Sequence, residues 1–268
     1  MNKPNEAIVQ TPPWRFSPSV AIGTLCLIAY ITVFYGIAQA SGIDYGDWFA
    51  NANNAIYSAL IPLVAGSLLL IAFLVLARWN VVWRDPVRLP TNRLHATLMT
   101  LFVGTIVLRL VFIQWGDVPV DLLLVVIAVG IGVGFAEEMA LRGVFLRGMR
   151  TSGRSEGMAV LWTTIAFGLL HIPNIFLGTG ALGIIQLLLA ALTGFVLYLF
   201  RRRFAWIVPA MIAHGIWDIS VFLSNKYLSP AINLITLALT LTIQLLALIA
   251  LVQFVRSECQ PVNAGATD

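Results

Sequence analysis

The chain has 268 residues, of which 59% are hydrophobic and only 10% charged. Soluble domains carry about 25% charged residues, so the composition excludes a soluble globular protein and points to one bundle of membrane helices. The net charge of +4 implies no nucleic-acid partner: fourteen of the sixteen basic residues are arginine, spread among short loops and helix ends, which suits the lipid bilayer and its anionic headgroups.

Residues 1–18 are polar and carry Pro4, Pro12, Pro13 and Pro18, as expected of a cytoplasmic tail. The first span is predicted over 19–40. Ala38-Gln39-Ala40 resembles a signal-peptidase site, but the apolar run before it exceeds the ~7–15 residues of a signal core, so a retained span is expected. Residues 42–54 hold Asp44 and Asp47 with no basic residue and read as an external loop. The second span is predicted over 55–77. Residues 78–93 set Arg78, Arg84, Arg88 and Arg93 against the single Asp85, an internal loop. His95 then reads as an interfacial residue with no chemical role. The third span, 94–114, contains Arg109, which is expected to snorkel outward near Asp117 rather than pair inside the bundle.

The fourth span is predicted over 121–146, with Gly130 and Gly134 on one face so that another helix can approach closely. The fifth, 160–173, is short for a crossing. An uncharged loop leads to the sixth, 182–200, stopped on the inside by Arg201-Arg202-Arg203. The seventh, 205–223, precedes Lys226; the eighth, 232–255, precedes Arg256 and a polar tail from 257 to 268. Trp79, Trp83 and Trp206 mark inner boundaries, and Trp48 and Trp115 outer ones. Cys26 in an apolar run and Cys259 in the tail define neither a disulfide framework nor a metal site. No repeat of 20–50 residues is evident. The expected fold is an all-α polytopic bundle of about eight transmembrane helices with both termini cytoplasmic. It divides into helices 1–3 (19–115), a core of helices 4–7 (119–225) and helix 8 (231–256).

Glu137 and Glu138 follow eighteen residues, 119–136, in which Asp121 is the only charge. A charge at mid-bilayer costs at least ~2.5–3.5 kcal/mol, so intramembrane ionisable groups are functional by default. The alternative is that the span ends at Ala136 and the glutamates sit among headgroups. Leu141, Val144, Phe145 and Leu146 argue against it, because the basic edge comes only at Arg147, Arg150 and Arg154. At 1.5 Å per residue, Glu137, His171 and His214 each lie roughly 15 Å from an inner boundary, in one layer near the midplane. Glu138 and Arg142 are four apart and can pair, which leaves Glu137 pointing roughly 100° away. Phe167 and His171 are also four apart, as are His214 and Asp218, whose hydrogen bond would fix the imidazole. Trp217 would wall the site. A shielded carboxylate is a competent general base toward water, with imidazoles to hold the water or donate to an oxyanion. Glu137, His171 and His214 have the donor types for zinc, although no His-Glu-x-x-His motif is present.

Glu137-Glu138-Met139-Ala140-Leu141-Arg142, Phe167-Gly168-Leu169-Leu170-His171 and His214-Gly215-Ile216-Trp217-Asp218, in that order, resemble the CPBP family. That family comprises intramembrane proteases related to the CAAX prenyl endopeptidase and to bacteriocin-processing or immunity (Abi-type) proteins. The resemblance covers about residues 120–220. It implies that Glu137 activates water with His171, that His214 and residue 218 stabilise the oxyanion, and that Glu138, Arg142 and Phe167 support them. The CAAX endopeptidases carry asparagine where this chain has Asp218, which weakens the case for a prenylated substrate. The expected protein is therefore a cofactor-free endopeptidase acting on a membrane-associated peptide or protein in a bacterial cell (inner) membrane. A non-enzymatic immunity or partner-binding protein and a proton-coupled transporter are the other functions the same residues fit. The absence of an inverted repeat and of paired broken helices speaks against the transporter.

Overall fold

The structure, a computed structural model, describes residues 15–86 and 88–258. It contains eight long helices: α1 (Val20–Ala40), α2 (Ala52–Ala77), α3 (Arg93–Phe112), α4 (Val120–Thr151), α5 (Glu156–Leu169), α6 (Leu182–Phe204), α7 (Val208–Tyr227) and α8 (Pro230–Glu258). Among the described residues seven of these are long and apolar enough to cross a membrane, α5 being counted with the short turn that follows it. The eighth, α7, has the length, but His214, Asp218, Asn225 and Lys226 lower its apolarity. The protein is a multi-pass integral membrane protein of all-α architecture. Residues 1–14 and 259–268, with Cys259, lie outside the described residues. Residues 15–18 lie against the inner end of α2, where the Trp79 indole donates to the Phe16 carbonyl at 2.9 Å.

Two helices depart from regular winding, each for a visible reason. In α2, Ile56–Leu60 widens into a π turn directly before Pro62, whose missing N–H shifts the hydrogen-bond register. In α4, Met139–Phe145 is a π turn immediately after Glu138. A widened turn releases backbone groups from the ladder, and Arg201 on α6 donates to the Arg142 carbonyl there.

Helices α4 and α7 form the closest pair, in contact along the small-residue face predicted from Gly130 and Gly134. A Cβ on Gly134 would strike the Met211 carbonyl, and one on Gly130 would meet the Gly215 carbonyl at 2.8 Å. Gly215 returns the contact against the Gly130 carbonyl. Only glycine permits this backbone-to-backbone approach. It sets the register of α7 so that His214 faces the glutamates.

Arg201 and Arg202, expected to stop the sixth span on the inside, stand in its last turn and are buried in ion pairs at the arginine-rich end. Asp85 accepts from Arg201 at 2.7 and 3.1 Å and from Arg150 at 2.8 Å. Glu156 pairs with Arg150 and accepts from the Tyr198 hydroxyl. Arg202 reaches Glu258 at 2.7 Å and the Pro90 carbonyl at 2.7 Å. This network ties the α2–α3 loop to α4, α5, α6 and α8. Arg203 alone of the triplet is exposed. His95 caps α3 through a reciprocal pair with Asn92, a local structural role. The indoles divide: Trp83 and Trp115 are exposed as interfacial residues would be, whereas Trp48 and Trp79 are buried in the protein.

Candidate active site

The four residues singled out for chemistry, Glu137, His171, His214 and Asp218, line one cavity of about 470 Å³. Three helices deliver them. Glu137 and Glu138 end the regular part of α4, at the start of the π turn. His214 and Asp218 stand one turn apart on α7. His171 lies just past the end of α5, where the sequence reading had it inside a helix. The cause is Pro173: it has no N–H to continue the ladder and disfavours helical geometry at Ile172. The chain turns at His171 and resumes as a short 3₁₀ segment, Ile172–Ile175.

Glu138 is fully buried, and its Oε1 accepts from Arg142 Nη1 at 3.0 Å, the pair expected from spacing. The same oxygen takes His214 Nδ1 at 3.1 Å. This changes the reading of His214. The ring is oriented by Glu138, and Asp218 Oδ2 lies 3.7 Å from Nε2, beyond hydrogen-bond reach. The glycine contact between α4 and α7 is responsible, since it brings Glu138 closer to the ring than the residue one turn along its own helix.

Glu137 is buried on the cavity wall, and its Oε2 has no hydrogen-bond partner. His171 Nδ1 is 3.0 Å from the Phe167 carbonyl. A carbonyl only accepts, so the hydrogen belongs on Nδ1 and Nε2 is the remaining ring nitrogen. Phe167 is the hub of the site. Its ring lies 5.5 Å from that of His171 and 5.4 Å from that of His214, and the Arg142 guanidinium sits 4.4 Å from its centroid. Arg142 also donates to the Gly194 carbonyl, and a Cβ at Gly194 would press on both Arg142 and Phe167. Nothing in the spacing of α6 marks Gly194 for this role.

Arg109 departs from the sequence reading. It stays inside the bundle, 7% exposed, with Nη2 on Thr240 Oγ1 at 2.9 Å and its guanidinium 4.4 Å above the Trp217 ring. Its Nη1 has no partner, and it lines the cavity with Asp218. The snorkelling expectation fails because α8 supplies a hydroxyl and α7 an aromatic face at its own depth. Trp217 is held in turn by stacking on Phe102 at 4.2 Å. Sequence reasoning also missed the polar chain at the outer end of the cavity, where Asn174 donates to Gln186 and Gln186 to the Tyr45 hydroxyl at 2.8 Å. Among the described residues, no three His, Cys, Asp or Glu side chains are grouped so as to hold a metal ion.

Glu137, His171, His214 and Asp218 thus meet at one cavity inside a multi-pass helix bundle, with Glu138 behind His214. Residues 119–220 match the family described as type II CAAX prenyl endopeptidase Rce1-like. The matched stretch is less than half of the chain and leaves α1–α3 and α8 outside it. No curated protein and no solved structure matches the chain.

Proposed function

We propose that this protein is an intramembrane endopeptidase that hydrolyses a peptide bond in a membrane-associated peptide or protein, using water activated by Glu137 and no metal ion. The observation that carries this reading is the contrast between the two glutamates. Glu138 is committed to Arg142 and His214, whereas Glu137 presents a buried, unpartnered oxygen to the cavity.

In this mechanism Glu137 takes a proton from water as the oxygen forms its bond to the scissile carbonyl carbon. His171 holds that water through Nε2, its Nδ1–H being fixed on the Phe167 carbonyl. The carbonyl oxygen becomes an oxyanion, met by an N–H of His214 and by the O–H of a protonated Asp218 on α7. Glu137 then returns the proton to the leaving amine as the C–N bond breaks. Glu138 keeps the His214 ring at a fixed angle, and Arg142 balances the Glu138 charge. A bacterial cell membrane is the proposed location, in line with the resemblance to bacteriocin-processing proteins.

Glu137→Gln preserves shape and removes the base. The purified variant should fold with an unchanged unfolding midpoint and cut no substrate, while the wild type keeps its activity after prolonged chelation. An active Glu137→Gln enzyme, or activity lost to chelator and restored by zinc, would overturn this mechanism. A folded Glu137→Gln protein with full biological effect would point to a binding role instead.

A further inference from the structure

Three features of the bundle bear on the side from which a substrate reaches Glu137. The first is charge. Arg78, Arg84, Arg88, Arg93, Arg147, Arg150, Arg154, Arg203 and Arg256 all lie at one end of the helices, whereas the other end carries Asp44, Asp47, Asp117 and Asp121 with Lys226. That asymmetry places the arginine end in the cytoplasm.

The second is closure. Between Glu137 and the arginine end, Met139–Phe145 is buried at every residue, and Arg201 fills the space beneath it by donating to the Arg142 carbonyl. Below that lies the Asp85 ion network. Among the described residues, none of the arginine-end loops forms a wall of the cavity; it is lined instead by Tyr45, Trp48 and Phe49 of the opposite loop and by Asn174.

The third is the state of α6. Its cytoplasmic half is buried at every residue from Thr193 to Arg202. Its outer half is not: Leu182 is 72% and Ile185 54% exposed, and both line the cavity. Thr193 and Gln244 clasp α6 to α8 at 2.9 Å, at the inner limit of this exposed stretch. Outward of the clasp, Leu182, Ile185 and Leu189 on α6 and Thr240 on α8 border the cavity. A residue that is exposed at the periphery and also lines the cavity marks its mouth.

We propose that the substrate reaches the site from the non-cytoplasmic side, as an apolar polypeptide segment entering the outer half of the membrane between α6 and α8. The proposal rests on the endopeptidase reading of Glu137. It assigns the substrate to polypeptides presented on or inserted from the outer face and excludes chain ends displayed only in the cytoplasm. The mouth suits a segment with apolar side chains: on α6 its rim is Leu182, Ile185 and Leu189, while Asn174, Gln186 and Tyr45 at the outer end of the cavity offer hydrogen-bond partners to a peptide backbone.

Accessibility of introduced thiols tests the direction of entry. In a Cys26→Ala, Cys259→Ala background, Leu182→Cys and Leu189→Cys report the mouth and the interior, and Arg203→Cys reports the arginine face. A membrane-impermeant maleimide is applied to sealed right-side-out and to inverted vesicles. Leu182→Cys and Leu189→Cys should be labelled in the orientation in which Arg203→Cys is protected. Labelling of Leu189→Cys from the Arg203→Cys face, or from neither face, overturns the proposal; Leu182→Cys, a lipid-exposed position, decides the matter if Leu189→Cys does not fold. In the same vesicles a quenched apolar peptide should be cut only when supplied on the face opposite Arg203→Cys. Thiol labelling needs no turnover, so absence of cleavage in both orientations counts against the endopeptidase reading alone, whereas labelling from the arginine face counts against the route alone.

Discussion

Adjacent residues of a helix point about 100° apart, and at Glu137 and Glu138 that angle separates a cavity wall from an ion pair. Removing the Glu138 charge leaves Arg142 buried without its counter-ion and frees the His214 ring. Breaking a buried pair from one side costs about 3–5 kcal/mol. Glu138→Gln should therefore lower the thermal unfolding midpoint in detergent sharply, in contrast to Glu137→Gln, which should not. An unchanged midpoint for Glu138→Gln would remove the pair from the account of stability. Asp218 is the residue whose role the geometry narrows most. At 3.7 Å from His214 Nε2 it does not hold the ring by a hydrogen bond, and Glu138 already does. In its protonated form the Asp218 carboxyl, next to Nε2 and facing the cavity, is placed to donate its O–H to an oxyanion as an asparagine amide would. Asp218→Asn is expected to keep most of the single-turnover rate, and Asp218→Ala to lose about 10²-fold, the scale of one missing oxyanion donor. An Asn variant as slow as the Ala variant would reject the donor role.

At the scale of elements, the contact of α4 with α7 decides where His214 lies. A methyl group on Gly134 meets the Met211 carbonyl, a backbone atom that cannot rotate aside. Gly134→Ala should push the helices apart, cost about 1–3 kcal/mol as overpacking does, and draw His214 away from Glu138. Both unfolding midpoint and activity should fall. Gly104 in α3 has nothing within 4 Å of its Cβ position. Gly104→Ala should thus be neutral or slightly stabilising, since alanine restricts the unfolded chain. If the two substitutions behave alike, close approach is not what Gly134 provides. The π turn after Glu138 belongs to the same scale: it packs Met139–Phe145 completely and offers a carbonyl to Arg201, joining site and ion network through one helix.

Over the whole molecule, the Asp85 network gathers five segments at the arginine-rich end and so couples fold stability to pH. Burial by itself pushes the Asp85 carboxyl up, but the hydrogen bonds and charges of Arg201 and Arg150 outweigh it and hold it below its ordinary value. A carboxyl depressed in the folded state contributes stability that is fully present above the unfolded value of about 3.9. That contribution is lost as pH falls through the folded value. The unfolding midpoint should accordingly drop as the solution is acidified below the ordinary aspartate range. Asp85→Asn should be less stable at neutral pH and show a shallower acid limb. Equal acid sensitivity in wild type and Asp85→Asn would assign the effect to other carboxylates.

The amino-acid sequence by itself determined the number and order of the helices, the arginine-rich end of the bundle, the Glu138–Arg142 pair and the grouping of Glu137, His171 and His214 at one level. Each of these follows from local quantities: apolar run length, arginine placement, helical spacing and rise per residue. The tertiary structure alone decided which side chains meet across helices. Spacing along α7 pointed His214 at Asp218, but the glycine contact set Glu138 closer. Depth along α3 sent Arg109 outward, but Thr240 and Trp217 kept it within. The arginines at 201 and 202 read as an edge, yet Asp85 of the α2–α3 loop and Glu258 of α8 drew them into the interior. A buried charge goes to the nearest group that can satisfy it, and for residues far apart in the chain that distance exists only once the helices have packed.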